Sequence, residues 1–242
     1  MIPTELGSIA YTGVVLFVAY LVRGISGFGS GLIAIPLLTL VHPLTLVVPL
    51  VVILDFMGSA AQGVKNRSSI AWPEILPLLP FTLIGCLSAL YAFNSIDINL
   101  LTSAMAVFIL IFAIYQLLPL PDLKGSKIWS APIGFFGGLV GTLFGTGGPF
   151  YMIYLNLRGL DKTQTRASFA TYFFIDGSIR IIGFVVIGLI GLLQMKTLLY
   201  WLPAAAFGLF IGGKVHTSLP PKTFKYFISL LLVLSGYRLL TR

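Results

Sequence analysis

Apolar runs separated by short polar punctuation occupy about 8–41, 44–63, 73–93, 98–118, 131–157, 166–191, 197–215 and 222–240. A helix needs about 20 apolar residues to cross a bilayer, so most of these runs fit one crossing each. The first and fifth do not. The first carries Gly24-Ile25-Ser26-Gly27-Phe28-Gly29-Ser30-Gly31 in its middle, which leaves arms of about 14 and 10 residues. The fifth is split in the same way at Gly145-Thr146-Gly147-Gly148-Pro149. Arms that short fail to cross singly, so each run predicts a re-entrant hairpin or a kinked pair of half-helices. Lipid offers no hydrogen bonds, so unwound backbone at membrane depth must line a cavity or be covered by protein.

The most polar interior stretch, Pro119 to Lys127, sits near the midpoint and reads as a linker. The halves on either side are alike in order. Gly27-Phe28-Gly29-Ser30 lines up with Gly145-Thr146-Gly147-Gly148, Leu76-Pro77 then Gly85 with Leu202-Pro203 then Gly212, and Tyr115-Gln116-Leu117-Leu118 with Tyr237-Arg238-Leu239-Leu240. The reading is one membrane domain made of a first repeat over 1–121, a cytoplasmic linker over 122–130 and a second repeat over 131–242.

Loop charge sets the orientation. Lys65 and Arg67 follow the second run, Lys124 and Lys127 lie in the linker, Arg158, Lys162 and Arg166 follow the fifth run, and Lys214, Lys222 and Lys225 flank the turn between the seventh and eighth, whereas the intervening loops hold only Asp97 and Lys196. With the basic loops in the cytoplasm, the crossings close only if the first and fifth runs return to the side they entered from. Each half then has a hairpin plus three spans, an odd number, and the second half is inverted. The expected fold is an all-α polytopic integral membrane protein of the cytoplasmic (inner) membrane, with two inverted repeats. That layout recurs in secondary transporters that bind substrate near the midplane.

Composition agrees with the pattern. The 242 residues are 57% hydrophobic and 9% charged, against roughly 25% charged in soluble domains. The net charge of +8 is accounted for by the basic loops, and nucleic acid is not an expected partner. Cys86 is the single cysteine and His42 and His216 the two histidines, so neither a disulfide nor a zinc site of the usual kind is expected. The start, Met1-Ile2-Pro3-Thr4-Glu5, lacks the basic region of a cleavable signal, so the first apolar run is read as retained.

The two motifs, Gly27-Phe28-Gly29-Ser30-Gly31 followed by Pro36 and a second glycine motif after the midpoint linker, resemble the TauE/SafE family over essentially the whole chain. The second motif reads Gly147-Gly148-Pro149 where a third glycine is expected, and Tyr154 stands where a proline would match Pro36. The resemblance implies a small transporter of sulfite, organosulfonates or related sulfur anions.

The residues themselves point to an anion path. A broken helix presents unpaired N–H groups and the positive end of its dipole at the start of the second arm, and glycine lets an oxyanion approach them. The amides of Ser30–Leu32 and Gly148–Phe150, with hydroxyls of Ser26, Ser30 and Thr146, are the candidate donors. The proposed substrate-binding set is Arg23, Ser26, Gly27, Gly29, Ser30, Gly31, Gly145, Thr146, Gly147, Gly148 and Pro149. The bland alternative is that the glycines only permit tight helix crossing, and that reading is preferred for Gly137, Gly141 and Gly145 as a series and for Gly208 with Gly212.

Four ionisable residues fall inside apolar runs, where charge is costly and faces a partner or a wet cavity. Arg23 abuts the first break and is the best candidate for substrate contact through its planar fork; Gly141 occupies the aligned place in the second half. The alternative for Arg23 is snorkelling to an interface. Asp55 and Asp176 fall at nearly matching positions and, with Arg180, are assigned to gating or coupling, protons being the candidate coupling ion. Asp176 and Arg180 are four apart and equally read as a structural pair. Trp72, Trp129, Trp201 and Tyr200 read as interfacial anchors.

No Walker lysine motif, HExxH or GxSxG sequence is present, and Gly29-Ser30-Gly31-Leu32-Ile33-Ala34 lacks the soluble strand of a dinucleotide site. No cofactor and no enzyme activity are expected. The leading expectation is alternating-access transport of a small anion. A passive anion channel and a membrane-embedded assembly factor stay open beside it.

Overall fold

A computed structural model describes residues 6–63, 68–118, 125–214 and 221–241. Lys65, Arg67, Lys124 and His216 lie outside the described residues, as do positions 122–124 of the linker and the side chains of Lys222 and Lys225. The described residues form helices and turns, with no strand among them.

The first run folds as α1 (Leu6–Ser26) and α2 (Ser30–Thr39). α1 has 21 residues and is long enough to span, unlike the arm of about 14 residues expected. The difference arises at Gly24, which stays helical because it packs on the backbone of Gly212, so the break shrinks to Gly27-Phe28-Gly29. Gly27 and Gly29 take φ of 87° and 97°, the left-handed region that favours glycine. The fifth run folds as the expected short pair, described below, and the remaining runs each give one long helix or helix unit.

α3 (Leu44–Gly63) follows. α4 (Trp72–Ile75), a 3₁₀ turn at Leu76–Leu78 and α5 (Leu79–Ser95) make one continuous unit, then α6 (Ile98–Leu117) completes the first half. The second half has α7 (Ser130–Phe144), α8 (Gly148–Leu157), α9 (Lys162–Val186), α10 (Leu192–Lys214) and α11 (Pro221–Leu240). α9 starts earlier than its apolar run because Asp161 caps it, its carboxylate accepting from the amides of Thr163 and Gln164 in a capping box. Among the described residues five helices are apolar and long enough to cross a membrane, and their outward faces carry large apolar side chains such as Leu87, Tyr91, Ile111 and Phe207. This is an all-α polytopic membrane protein.

Both hairpins close on themselves. The Tyr11 hydroxyl donates to the Leu37 carbonyl and Thr12 bonds His42, so α2 runs back along α1. Likewise the Gly125 amide donates to Leu157, which returns the end of α8 to the start of α7. α1 packs on α10 and α5 on α7; α3 packs on α9 and α6 on α11. Exchanging α1, α2, α3, α5 and α6 for α7, α8, α9, α10 and α11 maps these pairings onto themselves.

Two seams are built by glycine. A Cβ on Gly208 or Gly212 would strike the carbonyls of Phe17 and Leu21, and one on Gly85 or Gly138 those of Phe135 and Thr82. The packing role expected for Gly208 and Gly212 is therefore observed. Trp201 is not an interfacial anchor: it is buried, its ring laid on Gly13 of α1, whereas Trp72, Trp129 and Tyr200 are exposed.

Candidate transport site

The two breaks meet. A Cβ on Gly31 would overlap the carbonyl oxygen of Gly145, and one on Gly145 the side chain of Ile35. This backbone approach requires glycine at 31, and the left-handed φ of 61° favours glycine at 145. It leaves the starts of α2 and α8 facing one pocket, bounded by Gly29, Gly31 and Leu32 from the first half and Gly145, Thr146, Gly148 and Pro149 from the second. Arg23 and Asp55 line it too, and Phe28, Phe169 and Phe173 complete the wall. Its free space is about 10 Å³, room for about one water.

Arg23 does not snorkel; it is 1% exposed. Its Nη1 lies 2.6 Å from Asp55 Oδ1 and also donates to Ser30 Oγ, while Nη2 donates to the Asp55 carbonyl and to Ser59 Oγ. Asp55 Oδ1 further accepts from the hydroxyls of Tyr20 and Ser30, both at 2.7 Å. One ion pair thus ties α1, α2 and α3 together beneath the first break. Nε of Arg23 has no partner, nor does the buried hydroxyl of Thr146. Neither α2 nor α8 is capped by a side chain. Unpaired donors and two helix N-termini therefore converge on the pocket, an arrangement that attracts anions.

Several expected residues point elsewhere. Ser26 Oγ donates within its own turn, to Val22 and Phe28, and Gly27 lies beside Arg166 instead of the pocket. Ser30 is spent on the ion pair, and Gly147 packs on Gly137, Gly141 and Arg180. The amide set at the second break is smaller than expected, because Pro149 has no N–H and the Phe150 amide donates to Gly147.

Asp176 and Arg180 form a fully buried i,i+4 ion pair that does not line the pocket. Arg180 also donates to the Tyr151 hydroxyl, and Asp176 accepts from the Cys86 thiol. Gly141 and Gly137, read from the sequence as packing faces between helices, instead make room for the Arg180 guanidinium and the Tyr151 ring.

Phe169 and Phe173 were not among the expected site residues. Their signal was available: 169, 173, 176 and 180 are spaced by four, three and four, one stripe of α9 that already held both ionisable residues. Phe28 stood inside the first glycine motif, and Tyr20 and Ser59 carried no mark in the sequence.

A family model described as sulfite exporter TauE/SafE matches residues 12–239. The chain belongs to the TauE/SafE family. A curated relative, the probable inner membrane transporter protein TsaS of Comamonas testosteroni, is 26% identical over 198 residues, covering 78% of this chain and 81% of the relative. No solved structure matches. This TauE/SafE member is thus a multi-pass inner-membrane protein of a transporter family, which sets it with proteins that move a small molecule through the bilayer.

Proposed function

We propose that the protein carries a small sulfur oxyanion, sulfite or an organosulfonate, across the inner membrane by alternating access. The observation that carries this reading is the meeting of Gly31 and Gly145 over a pocket supplied with Arg23, an unpartnered Thr146 hydroxyl and two uncapped helix starts. Every polar group offered there except Asp55 is a donor or a positive dipole end, and the family's description names sulfite.

In this reading the halves 1–121 and 131–242 are inverted repeats joined by 122–130, and they rock about the seam between the two breaks. The exchange symmetry of the helix pairings supports it. The small free volume favours a carrier caught closed over an open pore, and the pocket's reach to both breaks speaks against a dry assembly factor.

Asp55 holds the guanidinium that the anion needs. Protonation of Asp55, or its displacement, frees Arg23 to take the oxyanion as a bidentate partner. Proton and anion then compete for opposite ends of one ion pair, and their movements are coupled.

The test is sulfite flux into proteoliposomes, with and without a pH gradient. Replacing the pair together (Arg23→Gln with Asp55→Asn) removes the anion site without stranding a buried charge. Flux should fall to background in a protein that still elutes as a folded species. Unchanged flux would remove Arg23 and Asp55 from the path.

A further inference from the structure

Each glycine break has its own guanidinium and carboxylate. At the first, Arg23 pairs with Asp55 and reaches Ser30, the first residue after the break. At the second, Arg180 pairs with Asp176 and lies against Gly147, where a Cβ would sit 2.8 Å from Nη2. The two pairs differ in access. Arg23 and Asp55 open to the pocket; Arg180 and Asp176 do not. What stands at the boundary is Phe173, which lines the pocket and has the guanidinium carbons of both Arg23 and Arg180 at 5.6 Å from its ring centre.

We propose that Phe173 is a movable partition between two oxyanion stations, one at Arg23 and Asp55 and a second at Arg180 and Asp176. This rests on the reading of the pocket as the transport path. The Arg180 Nε has no partner although the residue is 1% exposed, which is the state of a donor awaiting a ligand. A cation over an aromatic face is attracted to the ring, so both arginines hold Phe173 in place. An oxyanion that displaces Asp55 from Arg23 draws the guanidinium off the ring and weakens the hold. The ring then swings out, and the anion passes from the first guanidinium to the second. In the first half the residue three before Asp55 is Val52, where Phe173 stands three before Asp176; the bulky partition belongs to one half only.

Cys86 reports on the far side of this partition. It is the single cysteine of the chain and is buried, with its Sγ 3.8 Å from Asp176 Oδ1. The full-length protein in detergent is treated with sulfonatoethyl methanethiosulfonate, an anionic reagent, or with neutral methyl methanethiosulfonate, and modification is followed by intact mass. Phe173→Ala should speed labelling of Cys86 by the anionic reagent about tenfold or more, because the barrier to local opening is gone. Where Ala does not yield a folded protein, Phe173→Leu gives a smaller rise in the same direction.

In the folded Phe173 variant, replacing Arg180 alone (Arg180→Gln) should cut the anionic-to-neutral rate ratio about tenfold, since the cation that concentrates anions is gone while the Asp176 carboxylate remains beside Cys86. Unchanged labelling in both folded Phe173 variants overturns the partition. A rate ratio indifferent to loss of Arg180 overturns the second station and leaves that pair structural. Labelling needs no transport, so these failures are separate from loss or persistence of sulfite flux in the Arg23 variants.

Discussion

The guanidinium of Arg180 occupies the space that a Cβ on Gly141 would claim. Arg23 stands at the aligned place in the first half, and Ser59, four residues after Asp55, stands where Arg180 follows Asp176. The two halves bring one cation to each aspartate by different routes. In the first it comes from the broken helix, in the second from the aspartate's own helix.

That relation predicts a rescue. Arg180→Ser alone leaves Asp176 buried without its partner and should cost about 3–5 kcal/mol. Gly141→Arg alone forces two guanidiniums into one space and should also destabilise. Together, Gly141→Arg with Arg180→Ser copies the arrangement of Arg23 and Ser59, and thermal unfolding in detergent should recover most of the loss. Additive losses would show that the two halves are not interchangeable here.

Thr146 separates stability from transport. Its hydroxyl is buried and makes no hydrogen bond. Thr146→Val keeps the shape and removes an unsatisfied group, so the melting temperature should hold or rise, by at most about 1 kcal/mol in stability. Half-saturation of sulfite flux should move to higher concentration. A stability loss with unchanged affinity would place the hydroxyl in the fold instead.

The glycines of the breaks should sort by mechanism. Gly31→Ala drives a methyl into the Gly145 carbonyl and should cost about 1–3 kcal/mol as overpacking, with loss of flux. Gly29→Ala meets no atom within 4 Å, but its φ of 97° makes it strained by about 1–2 kcal/mol. Gly7→Ala, with open space and an ordinary helical backbone, should be neutral. Chemical unfolding of the three variants checks the order.

Asp55→Asn tests coupling. If Asp55 is the proton acceptor that releases Arg23, its amide variant should move sulfite with no response to an imposed pH gradient. Because the asparagine leaves Arg23 without a counter-charge, a stability cost of about 3–5 kcal/mol is expected alongside. Retained gradient dependence would assign the proton to another group.

At the far end of the bundle, Arg158 joins Glu74 at 2.6 Å and the carbonyl of Gly125, tying three polar segments together. The charge-assisted bond to Glu74 raises the pKa of Arg158 further, so the guanidinium of this tie stays charged at working pH. The pair is partly exposed, and Arg158→Ala should cost no more than about 1 kcal/mol without altering flux.

The all-helical class, the two breaks and the membrane setting were legible in the chain, because bilayer thickness and the lack of hydrogen bonding in lipid act on every stretch locally. Arg23 and Asp55 were legible as singular charges in apolar surroundings, though not as partners. The aromatic wall was missed at Phe169 and Phe173, since phenylalanine is unremarkable in a membrane helix until its stripe is read against Asp176 and Arg180. Gly24 was read as part of the break and proved to be a contact with Gly212.

The sequence by itself determined that the chain is helical and apolar enough for a bilayer and near which glycines two of its helices break, for those depend on length, polarity and the missing Cβ of glycine. Only the tertiary structure decided that Gly31 meets Gly145, that Arg23 rather than Arg180 opens to the pocket, and that Phe173 stands between them. These depend on distances between helices far apart in the chain, and close packing sets such distances through the whole set of contacts at once.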